Sequence, residues 1–278
     1  MQSMRYLGVA AAAAVVLFGT GVAVASPSDP ERGSPAGSEG PAGPAARMPD
    51  GRIATPPASE HRPADGRCPA PPYGVQSDAP GYPGYAKTVA LTFDDGPGKT
   101  TGRILSILRN HRVSATFFNI GENMAARPAL LRKEKRYGFV LGNHTWSHPD
   151  LTKLTRRQQA TQIDEATAEQ RSITRSTPCV FRPPYGSYNA TTLSVAQDHR
   201  LAVWLWSVDT EDWKAHGSAS AYWVHRIIRL AEDEGIKLQH PVIIMHNQPV
   251  GNPATARALP TIIRFFRHHH YRLVTLVG

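Results

Sequence analysis

The chain has 278 residues, 31 Lys+Arg against 22 Asp+Glu, a formal charge of +9 and 41% hydrophobic residues. This supports a packed core in one medium domain or two small ones, and excludes a disordered, collagenous or multi-span membrane chain. Two cysteines exclude a disulfide-dense scaffold and a four-cysteine zinc site.

Arg5 is the only charge in the first 25 residues, and Tyr6 to Val24 is apolar apart from glycines and Thr20. Ala23-Val24-Ala25 then supplies small residues two apart. A positive start, an apolar stretch and an A-x-A exit read as a secretory signal peptide, residues 1–25. The competing reading is an uncleaved anchor, since roughly 20 apolar residues span a bilayer; the A-x-A site favours cleavage. Cleavage removes Arg5 and no acid, leaving a charge of +8. Fourteen of the 24 prolines fall between Pro27 and Pro83. Residues 26–66, rich in Pro, Gly, Ala and Ser, cannot bury enough apolar surface to offset ordering, and are expected to form a flexible linker. Export makes a disulfide permissible, with Cys68 and Cys179 as the candidates; the alternative is two unrelated thiols.

Residues 67–278 read as one globular domain in which strands alternate with helices. Strands are expected at Val89–Phe93, Ala115–Phe118, Phe139–Leu141, Val180–Phe181, Leu201–Val208, Val242–Met245 and Arg272–Val277. Helices are expected at 101–111, 128–136, 155–175, 191–199, 220–234 and 254–268. Seven strands joined by helices imply an α/β fold on a parallel sheet, either closed as a barrel or open and doubly wound. About 190 residues is short for an eight-fold barrel, typically about 250. A seven-stranded, imperfectly closed barrel fits the count better.

Five reactive clusters follow five strands: Asp94-Asp95-Gly96, His144-Thr145-Trp146-Ser147-His148, Arg182-Pro183-Pro184-Tyr185-Gly186, Asp209-Thr210-Glu211-Asp212-Trp213 and His246. Parallel α/β folds build their sites at the carboxyl ends of strands, so these clusters can meet. His144 and His148 share a face if their segment is a helical turn, which would supply half a zinc site. Two surface histidines are the plain alternative. Asp94 and Asp95 leave a strand toward opposite sides, one able to bind metal and the other able to face a water; a polar turn is the plain alternative. Arg182 and Asp209 can orient a catalytic group or form an ordinary ion pair. His246 can act as a general acid or be a hydrogen-bonded core histidine. His268-His269-His270 reads as a solvated helix end. Trp204, Trp206 and Trp223 read as core, and Trp213 as a pocket wall.

Thr92-Phe93-Asp94-Asp95-Gly96-Pro97, His144-x-x-x-His148, Arg182-Pro183-Pro184-Tyr185-Gly186, Asp209-x-x-Asp212-Trp213 and Ile244-Met245-His246 together resemble the five ordered motifs of the polysaccharide deacetylases. These are the NodB-homology proteins of carbohydrate esterase family four. The resemblance covers residues 85–277 and implies a distorted (β/α) barrel. It implies a metal-dependent hydrolase that removes N-acetyl groups from N-acetylglucosamine in peptidoglycan or chitin-type glycans. Asp95, His144 and His148 look like ligands of a divalent metal, Zn²⁺ first and Co²⁺ next. Asp94 looks like the general base, His246 the general acid, Arg182 the group that positions Asp94, and Asp209 the group that tunes His246. Tyr185 looks like the oxyanion donor through its backbone N–H, and Trp213 like the wall of the acetyl pocket. Ile244 replaces a common Leu, and Asn247 stands where Asp is common.

The expected partner is an acetylated cell-wall polysaccharide, with the protein secreted or wall-associated and no membrane span after cleavage. Nucleic acid is the ordinary partner of a basic chain, and export argues against it. The competing functions are an O-acetylxylan esterase and a non-catalytic wall-binding protein.

Overall fold

The structure, a computed structural model, describes residues 74–277. The expected signal peptide, the linker over 26–66 and Cys68 lie outside the described residues. Of the expected bridge only Cys179 is described, and it is not a free thiol.

The strands are β1 (Val75–Gln76), β2 (Thr88–Gly96), β3 (Thr116–Asn119), β4 (Val140–Asn143), β5 (Val180–Phe181), β6 (Ala202–Trp204), β7 (Val208–Asp209), β8 (Val242–His246) and β9 (Arg272–Val274). The helices are α1 (Thr101–Asn110), α2 (Gly121–Ala126), α3 (Pro128–Arg136), α4 (Arg156–Thr174), α5 (Ala190–Asp198), α6 (Ala221–Gly235) and α7 (Pro253–His268). All strand pairs are parallel, in the order β1-β6-β5-β4-β3-β2-β8-β7, and β9 pairs the start of β2.

The sheet curls until its two ends nearly meet. The expected single strand over 201–208 is two strands, because the chain crosses the barrel seam between them. Leu205 N–H donates to the carbonyl of Gln76 at one edge, and Ser207 N–H to that of Val242 at the other. Three residues therefore bridge a seam that no ladder closes. That split and the short β1 account for the difference between seven expected strands and the nine described.

Strand alternation divides the core into two layers. From β2, Val89, Leu91 and Phe93 face outward and pack with Ile104, Leu105 and Leu108 of α1 and Ile262 of α7. Ala90 faces the barrel interior with Phe118, Val180, Trp204, Val242 and Val274. Thr92 and Asp94 continue that inward row to the barrel mouth, so the β2 pattern changes from apolar to polar at the carboxyl end. A third cluster, including Ile163, Phe181 and Val203, seats α4 and α5.

Local signals fix the helix ends. Thr155 and Gln158 form a reciprocal capping box at the start of α4, and Asn189 and Thr192 do the same for α5. Pro128 opens α3 at its first turn. No helix among the described residues is long and apolar enough to cross a membrane.

Gly142 lets β4 lie against its neighbour. A Cβ there would stand 2.5 Å from the Phe118 ring and 3.0 Å from Val180. Gly142→Ala should lower stability by about 1–3 kcal/mol through overpacking. Urea unfolding measures it, and an unchanged midpoint would contradict this packing.

Candidate catalytic and metal-binding site

The site lies at the carboxyl ends of β2, β4, β5 and β8, with the loop after β7. Asp94 and Asp95 do not part to opposite sides as expected. The β2–β3 register shifts between Asp94 and Gly96, and Asp95 adopts a left-handed backbone with φ 68°. That turn brings both carboxylates toward one imidazole: His144 Nε2 is 3.4 Å from Asp95 Oδ1 and 3.8 Å from Asp94 Oδ2. Asn123 holds the turn by donating Nδ2–H to the Asp95 carbonyl at 2.8 Å. Left-handed conformations cost a non-glycine residue free energy and persist where the surroundings impose them.

His144 and His148 do share a side, but no helical turn places them. They lie on a loop in which Thr145 and His148 have φ of 67° and 60°. Asn143 Oδ1 accepts from Thr145 N–H at 2.8 Å, and Thr145 Oγ1 accepts from His148 N–H at 3.0 Å. Gln162 of α4 accepts from the N–H groups of Trp146 and Ser147 at 3.1 and 3.0 Å. The capped helix thereby clamps the loop that carries both histidines.

The ligand atoms of Asp95, His144 and His148 lie within 4.8 Å of one another. Asp95 Oδ1 is also 3.3 Å from His148 Nε2, yet it is buried and makes no hydrogen bond. His144 Nδ1 is 2.6 Å from the Arg182 carbonyl, which can only accept, so this nitrogen carries the proton. In the neutral ring, Nε2 then presents its lone pair to Asp95. Burial first, then His144, holds the His148 imidazole down to about 4, so that ring is neutral near pH 7. Burial alone would raise the Asp95 carboxyl, but the imidazoles of His144, His246 and His148 outweigh it and hold it at about 2. The buried Asp95 Oδ1, with an imidazole nitrogen at 3.4 Å and another at 3.3 Å, is a donor set that a cation between them would satisfy. The set therefore fits a divalent metal, and three protein ligands leave positions for water and substrate.

Asp94 is buried against Arg182. The guanidinium Nη1 donates to Asp94 Oδ1 at 2.7 Å and to Thr92 Oγ1 at 2.8 Å. Nη2 donates to the Leu205 carbonyl at 2.7 Å and Nε to that of Trp204 at 3.3 Å. Its plane lies 4.2 Å over the Phe118 ring. The expected pairing of Arg182 with Asp94 is the geometry observed.

His246 stands in register with Asp94 on the adjacent strand. Its partner is Asp212, a correction to the expected Asp209. His246 Nδ1 donates to Asp212 Oδ1 at 2.6 Å, and His246 N–H to Oδ2 at 2.8 Å. Asn252 and Thr255 of the α7 start complete the shell of Asp212, which is fully buried. Asp209 instead accepts from Glu211 N–H at 2.7 Å and shapes the turn. The signal for Asp212 was its position immediately before Trp213. Burial pulls the His246 imidazole down, but the Asp212 charge and hydrogen bond, with Asp95 and Asp94, raise it to about 9. Nδ1 is engaged, so Nε2 holds the transferable proton. Asn247 does not touch this pair: its N–H donates to the Asp94 carbonyl and its Nδ2 to Thr101 Oγ1.

Tyr185 sits on a left-handed turn with φ 60°, its ring centre 4.6 Å from that of His148 in an edge-on arrangement. Trp213 is 43% exposed beside buried Asp212, with Lys214 Nζ 5.2 Å from its ring. Both border the mouth, where the sequence placed them. His268, His269 and His270 lie at the far end of α7, away from the site. Trp204 is buried, and Trp206 and Trp223 pack against the core.

Fold and site define a (β/α)-barrel protein with three side chains that could hold a metal ion, beside a held carboxylate and a held imidazole. Residues 81–204 match the polysaccharide deacetylase family. The peptidoglycan-N-acetylglucosamine deacetylase PgdA of Listeria monocytogenes is 34% identical over 191 residues, 68% of this chain and 38% of that protein. The chain thus spans well under half the length of that curated relative. A solved peptidoglycan N-acetylglucosamine deacetylase, in complex with a naphthalenyl N-oxidanyl-benzamide, is 33% identical with a TM-score of 0.66, covering 73% of this chain and 91% of that one. A pseudoenzyme of carbohydrate esterase family four from Bacillus anthracis is 25% identical with a TM-score of 0.63, covering 74% and 69%. The chain belongs to the polysaccharide deacetylases, carbohydrate esterase family four.

Removing the Arg182 head strands the Asp94 charge in the core. Arg182→Ala should cost about 3–5 kcal/mol, the range for breaking one side of a buried pair. Chemical unfolding measures it, and a loss no larger than that of a surface arginine would show the pair to be dispensable.

Proposed function

We propose that this chain is an exported, metal-dependent deacetylase that hydrolyses N-acetyl groups of N-acetylglucosamine in peptidoglycan. The observation that carries the reading is the pairing, in register at one barrel mouth, of a carboxylate held by Arg182 with an imidazole held by Asp212, beside Asp95, His144 and His148. Export rests on the leader read in residues 1–25. The substrate class rests on the peptidoglycan deacetylases among the relatives.

Zn²⁺ held by Asp95, His144 and His148 would polarise the acetyl carbonyl and make water a stronger nucleophile. Asp94, fixed by Arg182 so that Oδ2 is free to turn toward the cleft, takes a proton from the attacking water. The water oxygen adds to the acetyl carbon, and the Tyr185 N–H is assigned to the developing oxyanion. The carbon–nitrogen bond then breaks as His246 Nε2 gives its proton to the nitrogen, an otherwise very poor leaving group. Acetate and a free amine result. Trp213 supplies an apolar wall of the size an acetyl methyl needs.

The Bacillus anthracis pseudoenzyme shows that the fold alone does not establish catalysis, so a glycan-binding module is the second reading. Against it stands the complete set of carboxylates, imidazoles and guanidinium in bonded positions. An acetylxylan ester is an easier bond for the same groups, and its release is one arm of the test.

The test is acetate release from N-acetylglucosamine oligomers, peptidoglycan and acetylxylan, with added Zn²⁺ and with chelator. Chelator-sensitive release from the N-acetylated substrates is expected. Release from acetylxylan alone would move the substrate to an ester, and no release from any substrate by Zn²⁺-loaded protein would favour the binding module.

The pH profile checks the acid. His246 must be protonated to donate, so activity should hold below about 9 and fall as pH rises through that value. Asp212→Asn removes the charge that raises it, so the alkaline limb of kcat/KM should move down by about 1–3 units. An unmoved limb would mean that His246 is not the acid.

A further inference from the structure

The end of the barrel opposite the catalytic mouth carries a groove of about 860 Å³ where the strands begin. Lys87 precedes β2, Arg112 follows α1, Arg267 lies in the last turn of α7, and Arg272 starts β9. Among the described residues no Asp or Glu lines it. Among the described residues none of these four cations is in a salt bridge, although the chain pairs other surface cations such as Lys153, Arg156 and Lys237. The β2 residues Thr88 to Phe93 separate Lys87 in this groove from Asp94 by roughly 23 Å of strand.

Four like charges in one groove repel each other. Burial first, then Arg272 and Arg112, hold the Arg267 guanidinium below its usual value. Arg267 spends Nη2 on the carbonyls of His111 and Arg112 at the end of α1, which fixes it at the groove wall. The carbonyl ends of α1 and α7 offset only part of this charge, about half a unit each. An unneutralised cluster on a folded surface gains most by binding an anion, and guanidinium forks match phosphate oxygens two at a time.

The size and the aromatic rings narrow the ligand. About 860 Å³ exceeds what one small anion fills and lies in the range of pockets that take extended ligands, about 300–1,000 Å³. Nucleic acids bind such grooves by stacking bases on open aromatic faces. Here the two tyrosines of the lining offer little to stack on: Tyr271 is buried with Lys87 Nζ 5.1 Å from its ring centre, and Tyr85 has the Arg272 guanidinium 5.4 Å over one face, the same group lying 4.8 Å over Tyr82 beside the groove. We infer that this groove is a second, non-catalytic site that binds a base-free phosphodiester polymer, a polyol or sugar phosphate chain. Bound there, such a polymer would hold the barrel with its catalytic mouth facing away from the anchoring chain. The site stands apart from the deacetylase reading and does not depend on it.

The test titrates fluorescently labelled poly(glycerol phosphate) into the purified protein at low and at physiological salt. Wild type should bind, more weakly as salt rises, since each phosphate contact releases counterions. Lys87→Gln with Arg112→Asn should weaken binding roughly ten-fold or more, equivalent to about 1.4 kcal/mol. Arg272→Gln, made separately, should do the same, which guards against a folding defect in either. Acetate release from soluble N-acetylglucosamine oligomers and the unfolding midpoint should stay at wild-type values in both. Binding by the variants equal to wild type would overturn the site. Polyglutamate binding as tightly would reduce it to unspecific charge attraction, and tighter binding of a single-stranded oligonucleotide would replace the proposed ligand with nucleic acid.

Discussion

Arg182 lies fully buried at the barrel mouth with its donors spent on four groups. It joins β2 through Thr92 and Asp94, the β6 end through Trp204 and the seam through Leu205. Its own carbonyl fixes the His144 tautomer. A bare guanidinium in the core would be costly, and Asp94 makes it tolerable. The same pairing gives the carboxylate one fixed orientation, with one oxygen engaged and the other available. Structure and chemistry thus depend on one ion pair, and the apolar layers of β2 and β3 below it form the platform on which it rests.

A second constraint is backbone geometry. Asp95, Thr145, His148 and Tyr185 all take left-handed conformations, and all four border the cleft. Each turn redirects a side chain or a backbone group that regular structure would send elsewhere. Asn123, which donates to Asp95, and Asn143 and Gln162, which accept from the backbone of the histidine loop, hold the turns at Asp95, Thr145 and His148, so the surroundings carry the strain. If Asp95, His144 and His148 hold a metal as proposed, its binding would be coupled to the stability of this edge.

Much of this was legible in the sequence. The alternation of short apolar runs with amphipathic segments predicts the parallel barrel, and the five clusters at strand ends predict the meeting of Asp94, Asp95, His144, His148, Arg182 and His246. What escaped was set by loop conformation. Asp209, Glu211 and Asp212 are three carboxylates within four residues, alike in chemistry, and the left-handed turn at Glu211 decides that Asp212 goes inward. The i, i+4 spacing of His144 and His148 suggested a helix, whereas a clamped loop produces the same proximity. The strand over 201–208 broke where the barrel fails to close, a consequence of tertiary curvature that no local pattern records.

The central claim is that two adjacent carboxylates do different work: Asp95 holds the metal and Asp94, held by Arg182, moves a proton. Substituting Asp94→Asn and Asp95→Asn separately, then measuring bound Zn²⁺ and acetate release on the same samples, tests it directly. Asp94→Asn should keep its Zn²⁺ and lose acetate release by about 10²–10⁴-fold, the contribution of a positioned base, whereas Asp95→Asn should lose the Zn²⁺ itself. An Asp94→Asn protein that sheds its metal, or that still releases acetate at the wild-type rate, would contradict the division of labour.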